Sequence, residues 1–278
     1  MQIAIVSGKG GTGKTTVAVS LALSIKDTHL LDADVDEPNC ALFLGLETKE
    51  VGSSEILIPV IDKQKCTLCG KCNESCQYNA LIKLPEEILL FEKMCHGCGV
   101  CSFVCPEDAI SETPREIGKI YEGKNDNILF HFGELIVGEE LTTPVISRLK
   151  EEIRDGSKLV VIDSPPGSAC SMVETVADSD YIILVAEPTP FGLSDMKIVV
   201  DTLRVLKKSF GVVINKHGIG DDKLEQFCRD EQIPVLMKIP FDLEIAHNYS
   251  SGKPLVEAFP KYKNEFQVLQ TKIKELIK

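Results

Sequence analysis

Gly8-Lys9-Gly10-Gly11-Thr12-Gly13-Lys14-Thr15 is the stretch on which the fold of this chain turns. It follows the short apolar run Ile3 to Val6 and leads into Lys14 to Ile25, whose apolar residues fall at helical spacing. Strand, glycine-rich loop and helix in that order satisfy the phosphate-loop pattern G-x-x-x-x-G-K-[ST]. In such a loop the glycines let backbone N–H groups close around phosphate oxygens at a helix N-terminus. Lys14 then reaches the β and γ oxygens, and the Thr15 hydroxyl takes Mg²⁺. The predicted ATP or ADP ligands here are Gly8, Lys9, Gly10, Gly11, Thr12, Gly13, Lys14, Thr15 and Thr16.

Working outward, a second buried strand at about His29 to Leu31 runs into Asp32, Asp34 and Asp36. Four more apolar strands follow late in the chain, at Leu159 to Ile162, Ile182 to Val185, Val212 to Ile214 and Val235 to Ile239. Helical stretches near 194–208 and 221–230 separate the last three. Continuous apolar strands alternating with helices imply a mostly parallel sheet covered on both faces, hence an α/β P-loop NTPase fold. Residues 117–140 read as a hairpin, Ile117 to Tyr121 and Ile128 to Phe132, and a helix starting at Thr142 or Thr143 with Pro144 runs to about Arg154.

Between these parts the pattern changes. Residues 60–116 are dominated by Cys, Gly, Asn and Pro with only short apolar pieces, and eight of the eleven cysteines fall between 66 and 105, which points to metal rather than disulfides. Cys66, Cys69, Cys72 and Cys76 form one C-x2-C-x2-C-x3-C run; Cys95, Cys98, Cys101 and Cys105, followed by Pro106, form another. Both copies have the bacterial ferredoxin spacing, in which the fourth cysteine of each run ligates the other cluster. Cys66, Cys69, Cys72 and Cys105 are thus assigned to one [4Fe-4S] cluster, and Cys76, Cys95, Cys98 and Cys101 to a second. Four cysteines this close are too crowded for one tetrahedral zinc knuckle. Gln77 stands where the ferredoxin pattern has Pro, which softens a loop but removes no ligand. The division that results is ATPase 1–58, ferredoxin insert 59–116, ATPase 117–278.

The second lysine of the loop, Lys9, resembles the signature lysine of deviant Walker A ATPases such as MinD, ParA and the nitrogenase iron protein. The resemblance covers roughly 1–58 and 118–278. It implies a nucleotide-dependent dimer, a homodimer or a heterodimer with a paralogue, in which Lys9 stabilises charge on the γ-phosphate. By the same resemblance Asp34 positions the attacking water, with Asp36 as the competitor, and Asp163, in Val160 to Gly167, holds Mg²⁺ together with Thr15. The expected catalytic set is therefore Lys9, Lys14, Asp34 and Asp163. Asn215, Pro240 and Asp242 match the segments that contact the base. MinD-like ATPases with an inserted ferredoxin form a recognisable group, and the whole chain looks like one of them.

A formal charge of −12 disfavours non-specific nucleic-acid binding. The lack of any apolar run of about 20 residues and of an export signal leads to the expectation of a soluble, cytoplasmic protein. Lys261 to Lys278 reads as a helix with Phe266, Leu269, Ile273 and Leu276 on one face, expected to pack on its own domain rather than on a membrane. Cys170, seven residues after Asp163, reads as a small buried cysteine, with a cluster ligand near a dimer axis as the competing role, while Cys40 and Cys228 look structural or incidental. These parts suggest an ATP-gated protein for electron transfer or metallocofactor maturation, acting on a redox or assembly partner. An iron–sulfur scaffold or carrier, and a MinD-like spatial organiser, are the alternatives.

Overall fold

The structure, a computed structural model, describes residues 1–154 and 156–277. In chain order the elements are β1 (Gln2–Ser7), α1 (Lys14–Ser24), β2 (Thr28–Asp32), α2 (Cys40–Leu44), β3 (Thr48–Ile61), α3 (Lys71–Ser75), β4 (Leu81–Lys83), β5 (Ile88–Leu90), α4 (Val100–Phe103), β6 (Ile110–Lys124) and β7 (Ile128–Leu135). They continue with α5 (Thr142–Lys150), β8 (Leu159–Asp163), α6 (Cys170–Val176), β9 (Tyr181–Ala186), α7 (Pro190–Val205), β10 (Phe210–His217), α8 (Lys223–Asp230), β11 (Val235–Pro240), α9 (Leu243–Ser250), α10 (Leu255–Ala258) and α11 (Lys261–Ile277).

Nine strands form one sheet in the order β11-β10-β9-β1-β8-β2-β7-β6-β3. The pairs from β11 to β7 are parallel; β7 with β6 and β6 with β3 are antiparallel. Side chains of β1 alternate across the sheet, as a pleated strand buried on both faces requires. Ile3 and Ile5 pack with α1 and with Phe266 and Ile273 of α11, whereas Ala4 and Val6 pack with Met172, Met196 and Val200 from α6 and α7. α11 is thus docked by Phe266, Leu269 and Ile273, and Gln267 Nε2 donates to Ser24 O at 3.0 Å. Leu276, placed on the same face from sequence, is instead about half exposed, because α11 extends past the surface it covers. Among the described residues no helix is long and apolar enough to cross a membrane.

The largest departure from the sequence reading is a long ribbon. β3 was not foreseen, and β6 begins at Ile110 rather than Ile117; the two pair from Thr48↔Gly123 to Ile61↔Ile110. The junctions drawn at 58/59 and 116/117 therefore lie within the β3–β6 pairing, the second at a register shift where Ile117 bulges, and not in linkers. Residues 48–55 escaped recognition because they are mostly polar and exposed, with an alternating buried face appearing only from Ser54 onward. The cysteine-bearing segment is carried at the far end of this ribbon. α5 also ends at Lys150, so Arg154 lies beyond the helix.

Candidate functional site

Ser7, Asp32 and Asp163 stand at the carboxyl ends of β1, β2 and β8, where open α/β sheets place their ligands. Asp32 and Asp163 are register partners on neighbouring strands, and both are fully buried. The loop Gly8–Gly13 crosses above them. A side chain at Gly8 would meet the Asp195 backbone at 2.6 Å, and Gly13, at φ 93°, would meet the Asn215 amide at 2.1 Å. Both positions need glycine, for close approach and, at Gly13, for left-handed backbone too.

Lys14 is buried and donates to Asp163 Oδ1 at 2.8 Å, with Asp34 Oδ2 at 3.4 Å. Burial works to lower its pKa, but Asp163, Asp34 and Asp32 outweigh that and raise it, so Lys14 is a fixed cation. The Thr15 hydroxyl donates to Asp163 Oδ2 at 2.6 Å, placing the two predicted Mg²⁺ residues in contact. Asp32 does different work from Asp34. Its carboxylate accepts N–H bonds from Asp34 (3.1 Å), Asn39 (2.9 Å) and Cys40 (2.8 Å), shaping the loop after β2. Burial, then Asp163, push the Asp32 pKa up. Burial likewise raises Asp34, against the pull of Lys14. Asp36, the competing candidate, is exposed and lies on the outer side of this loop.

Lys9 extends to Glu187, with Nζ 2.5 Å from Oε1, and Lys216 Nζ holds the other oxygen at 2.9 Å while donating to Gly11 O at 2.9 Å. Burial opposes ionisation of Glu187, but the two lysines outweigh it and keep the carboxyl below its ordinary range. Asn215 Nδ2 donates to Thr12 O at 2.8 Å. Asn215, Pro240 and Asp242 line one open cleft with Gly11, Gly13, Thr16, Lys216, Phe241 and Tyr249. Asp242 caps α9 by accepting from Glu244 N at 2.8 Å. The cleft runs from the phosphate loop to a pocket with an aromatic wall, a shape suited to a nucleotide. Gly10 sits on the exposed rim of the loop.

Three residues of this region were missed or set aside in sequence. Glu187 looks like any strand-end carboxylate, and Tyr249 like any helix aromatic. Cys40 is fully buried with Sγ 3.6 Å from Asp163 Oδ2, so Asp32, Cys40 and Asp163 form a buried group with mutually close ligand atoms. Cys170, expected to be buried, is exposed at the start of α6, and Cys228 is buried.

The eight ferredoxin-type cysteines separate into two sets. Cys66, Cys69, Cys72 and Cys105 line one small pocket; Cys76, Cys95, Cys98 and Cys101 line another. Each set takes its fourth thiol from the other run. The two runs also repeat one backbone conformation: Leu68 and Gly97 have φ 55° and 66°, Gly70 and Gly99 86° and 72°, Asn79 and Asp108 53° and 45°. Ala80 N and Ala109 N each donate to a cysteine sulfur, Cys76 and Cys105, at 3.3 Å. Four convergent thiols with amide donors on sulfur suit a cluster that carries thiolate charge. His96 is exposed and stacks on Tyr78, with centroids 3.6 Å apart at 7°.

Comparison with known proteins places this geometry. Two uncharacterized proteins of Methanocaldococcus jannaschii are 34% identical (100% of this chain, 98% of the relative) and 30% identical (94% and 92%). An iron–sulfur cluster carrier protein of Pyrococcus abyssi is 24% identical, over 92% of this chain and 79% of its own length. Among solved structures, the cell division ATPase MinD of Pyrococcus furiosus aligns with a TM-score of 0.60 at 21% identity, covering 99% of this chain and 98% of that one. Residues 3–255 match the CobQ/CobB/MinD/ParA nucleotide binding domain, and the chain belongs to that family of P-loop nucleotide-binding proteins.

Proposed function

We propose that this chain is an ATP-hydrolysing switch whose closed dimer controls two [4Fe-4S] clusters held by the inserted module of residues 59–116, serving electron transfer or metallocofactor maturation. The observation that carries the reading is the division of eight cysteines into two four-thiol cavities, each completed by the other run. When bound, the clusters supply one-electron chemistry, and the cysteine thiolates hold them in place.

The rest follows from the chain's own residues. Nucleotide phosphate competes with Asp163 and Asp34 for Lys14, so binding breaks two ion pairs and frees the loop after β2. Thr15 and Asp163 then hold Mg²⁺, Asp34 orients water, and Asn215, Pro240 and Asp242 border the base. Lys9 leaves Glu187 to reach phosphate, in its own subunit or across the dimer, which gives the switch its dependence on nucleotide. The dimer partner is a second copy or a paralogue.

The alternative reading, a cluster carrier, draws on the relatives bearing that name. The interlocked ligand sets favour resident clusters, because releasing either one opens both cysteine runs. Anaerobic ATPase assays, run with iron and sulfide analysis and with candidate acceptors, test the proposal. Two clusters per chain and ATP-dependent electron delivery are expected. Stoichiometric loss of clusters to an apo-acceptor would establish the carrier, and metal-free turnover with no cluster retained would end both readings.

A further inference from the structure

The two four-cysteine sites are placed differently with respect to the ATPase body. Cys72 and Cys66 belong to a small core with Leu81, Ile88 and Ile110 at the tip of the ribbon; Cys101 of the other set borders this core, and Leu90 joins it to the larger cluster. Cys95 and Cys76 instead belong to the apolar cluster that contains Ala33 and Val35, the residues on either side of Asp34. Ile56 and Ile58 of β3 and Ile117 and Ile120 of β6 fill the space between.

Close contacts mark both ends of that path. At the cysteine end, a side chain on Gly97 would lie 3.1 Å from Ile56 Cβ and 3.1 Å from Leu57 O, so the Cys95–Cys98 loop sits directly on β3. Lys93 Nζ donates to Gly138 O at 3.5 Å, and Arg115 pairs with Glu139, tying the module and the ribbon to the loop after β7. At the nucleotide end, Val35 O accepts from Leu135 N at 3.0 Å, and a Cβ on Gly133 would be 2.9 Å from Val35 Cγ1. Ile136 N donates to Ile117 O at 2.9 Å, carrying the contact from β7 to β6.

Resting on the cluster reading above, we propose that the site formed by Cys76, Cys95, Cys98 and Cys101 is the one linked to nucleotide state, and that the Cys66, Cys69, Cys72 and Cys105 site is the outer port that exchanges electrons with a partner. The bistable element is the loop at Asp34: Lys14 holds it in the free state, and phosphate takes Lys14 away. Val35 moves with Asp34, and a close-packed interior transmits that displacement rather than absorbing it. Adding one electron from a low-potential donor would change the charge at the inner site, and because Cys95 and Cys76 pack in the same cluster as Val35, that change bears on the switch loop more directly than a change at the tip. Linkage makes the effect reciprocal: the factor by which nucleotide shifts reduction equals the factor by which reduction shifts nucleotide affinity.

The test is an anaerobic redox titration of the full-length holo-protein by electron paramagnetic resonance, with and without a non-hydrolysable ATP analogue. Cys98→Ala and Cys69→Ala, both at exposed cysteines, identify the inner and outer signals. The signal absent from Cys98→Ala is expected to change its reduced-to-oxidised ratio at fixed potential about tenfold on nucleotide binding, or about 59 mV for one electron. The signal absent from Cys69→Ala is expected to stay put, and analogue affinity is expected to change by the same factor on reduction. Ile56→Ala should shrink the shift while clusters and analogue affinity are retained; if clusters are lost there, Ile56→Val serves instead. A shift in the outer signal, equal shifts in both, or none overturns the inference while leaving the cluster reading intact. Fewer than two cluster signals in the wild-type protein overturns the cluster reading and the inference together.

Discussion

Lys9 and Glu187 form an ion pair of 2.5 Å between the phosphate loop and the end of β9, and Lys216 closes the same carboxylate from the other side. One buried acid therefore neutralises two lysines that border the phosphate site. Glu187→Gln leaves both cations uncompensated. The pairs are partly exposed on the lysine side, worth about 0.5–1 kcal/mol each at most; counting only the Lys9 pair, which phosphate must break, ATP and ADP should bind roughly two- to fivefold more tightly. Titration with a fluorescent nucleotide at two salt concentrations checks this. Unchanged affinity would mean that Glu187 does not restrain the loop.

Asp32 and Asp34 should separate by the kind of damage they cause. Asp32→Ala leaves three backbone N–H groups without their acceptor and should cost roughly 1–3 kcal/mol of stability. Asp34→Ala removes no such support, so its melting curve should stay within about 0.5 kcal/mol of wild type while ATP turnover falls by about two orders of magnitude. Asp36→Ala, on the exposed side, should turn over nearly normally. Thermal melts beside single-turnover hydrolysis distinguish the three.

The duplicated cysteine runs predict an asymmetry at one matched position. Gly97 has φ 66°, and a Cβ there would crowd Ile56 and the Leu57 backbone at 3.1 Å, so Gly97→Ala should cost about 1–3 kcal/mol and lower iron retention. Its counterpart Leu68 already tolerates φ 55°, and Leu68→Gly relieves that strain while giving up a partly buried side chain. Its stability should lie within about 1 kcal/mol of wild type. Equal losses in both variants would show that the runs are not conformational copies.

His29 and His131 are buried against each other, with Nε2 and Nδ1 2.9 Å apart. Burial, then the neighbouring His131, lower His29 from 6.5 to about 3, and burial lowers His131 against the pull of Glu152 and Glu122. The unfolded chain takes up protons on these rings as pH drops below 6.5, whereas folded His29 does not until about 3. The His29 contribution is therefore complete above 6.5 and is lost as pH falls from 6.5 toward 3, at roughly 1.4 kcal/mol per pH unit, and His131, also lowered, adds in the same direction. Urea midpoints between pH 7.5 and 5 should show this slope, and the double variant His29→Leu with His131→Leu should flatten it.

Much of the site was legible from residue order because its parts are local. A phosphate loop is one strand, one turn and one helix start, so Gly8 to Thr16 declare themselves without any knowledge of the sheet. The cysteine spacings are equally local, and the two four-thiol cavities contain the sets that spacing assigned. The parallel strands were legible too, because burial on both faces makes them continuously apolar.

Long-range pairing was not legible in the same way. The polar, exposed first half of β3 is held by its ladder with β6 and not by its own apolar pattern, so only the tertiary structure reveals the ribbon and the continuity of the module with the ATPase sheet. Glu187 meets Lys9, and Cys40 meets Asp163, across sequence separations that no local signal spans. The same holds for the unequal seating of the two cysteine sets. Runs that share cysteine spacing give loops of the same backbone conformation, and only packing puts Cys95 and Cys76 in one core with Ala33 and Val35 while Cys66 and Cys72 are left at the tip. Local chemistry is thus written in residue order because the covalent chain itself brings those groups together; which site adjoins the switch is decided by burial, which depends on the whole fold.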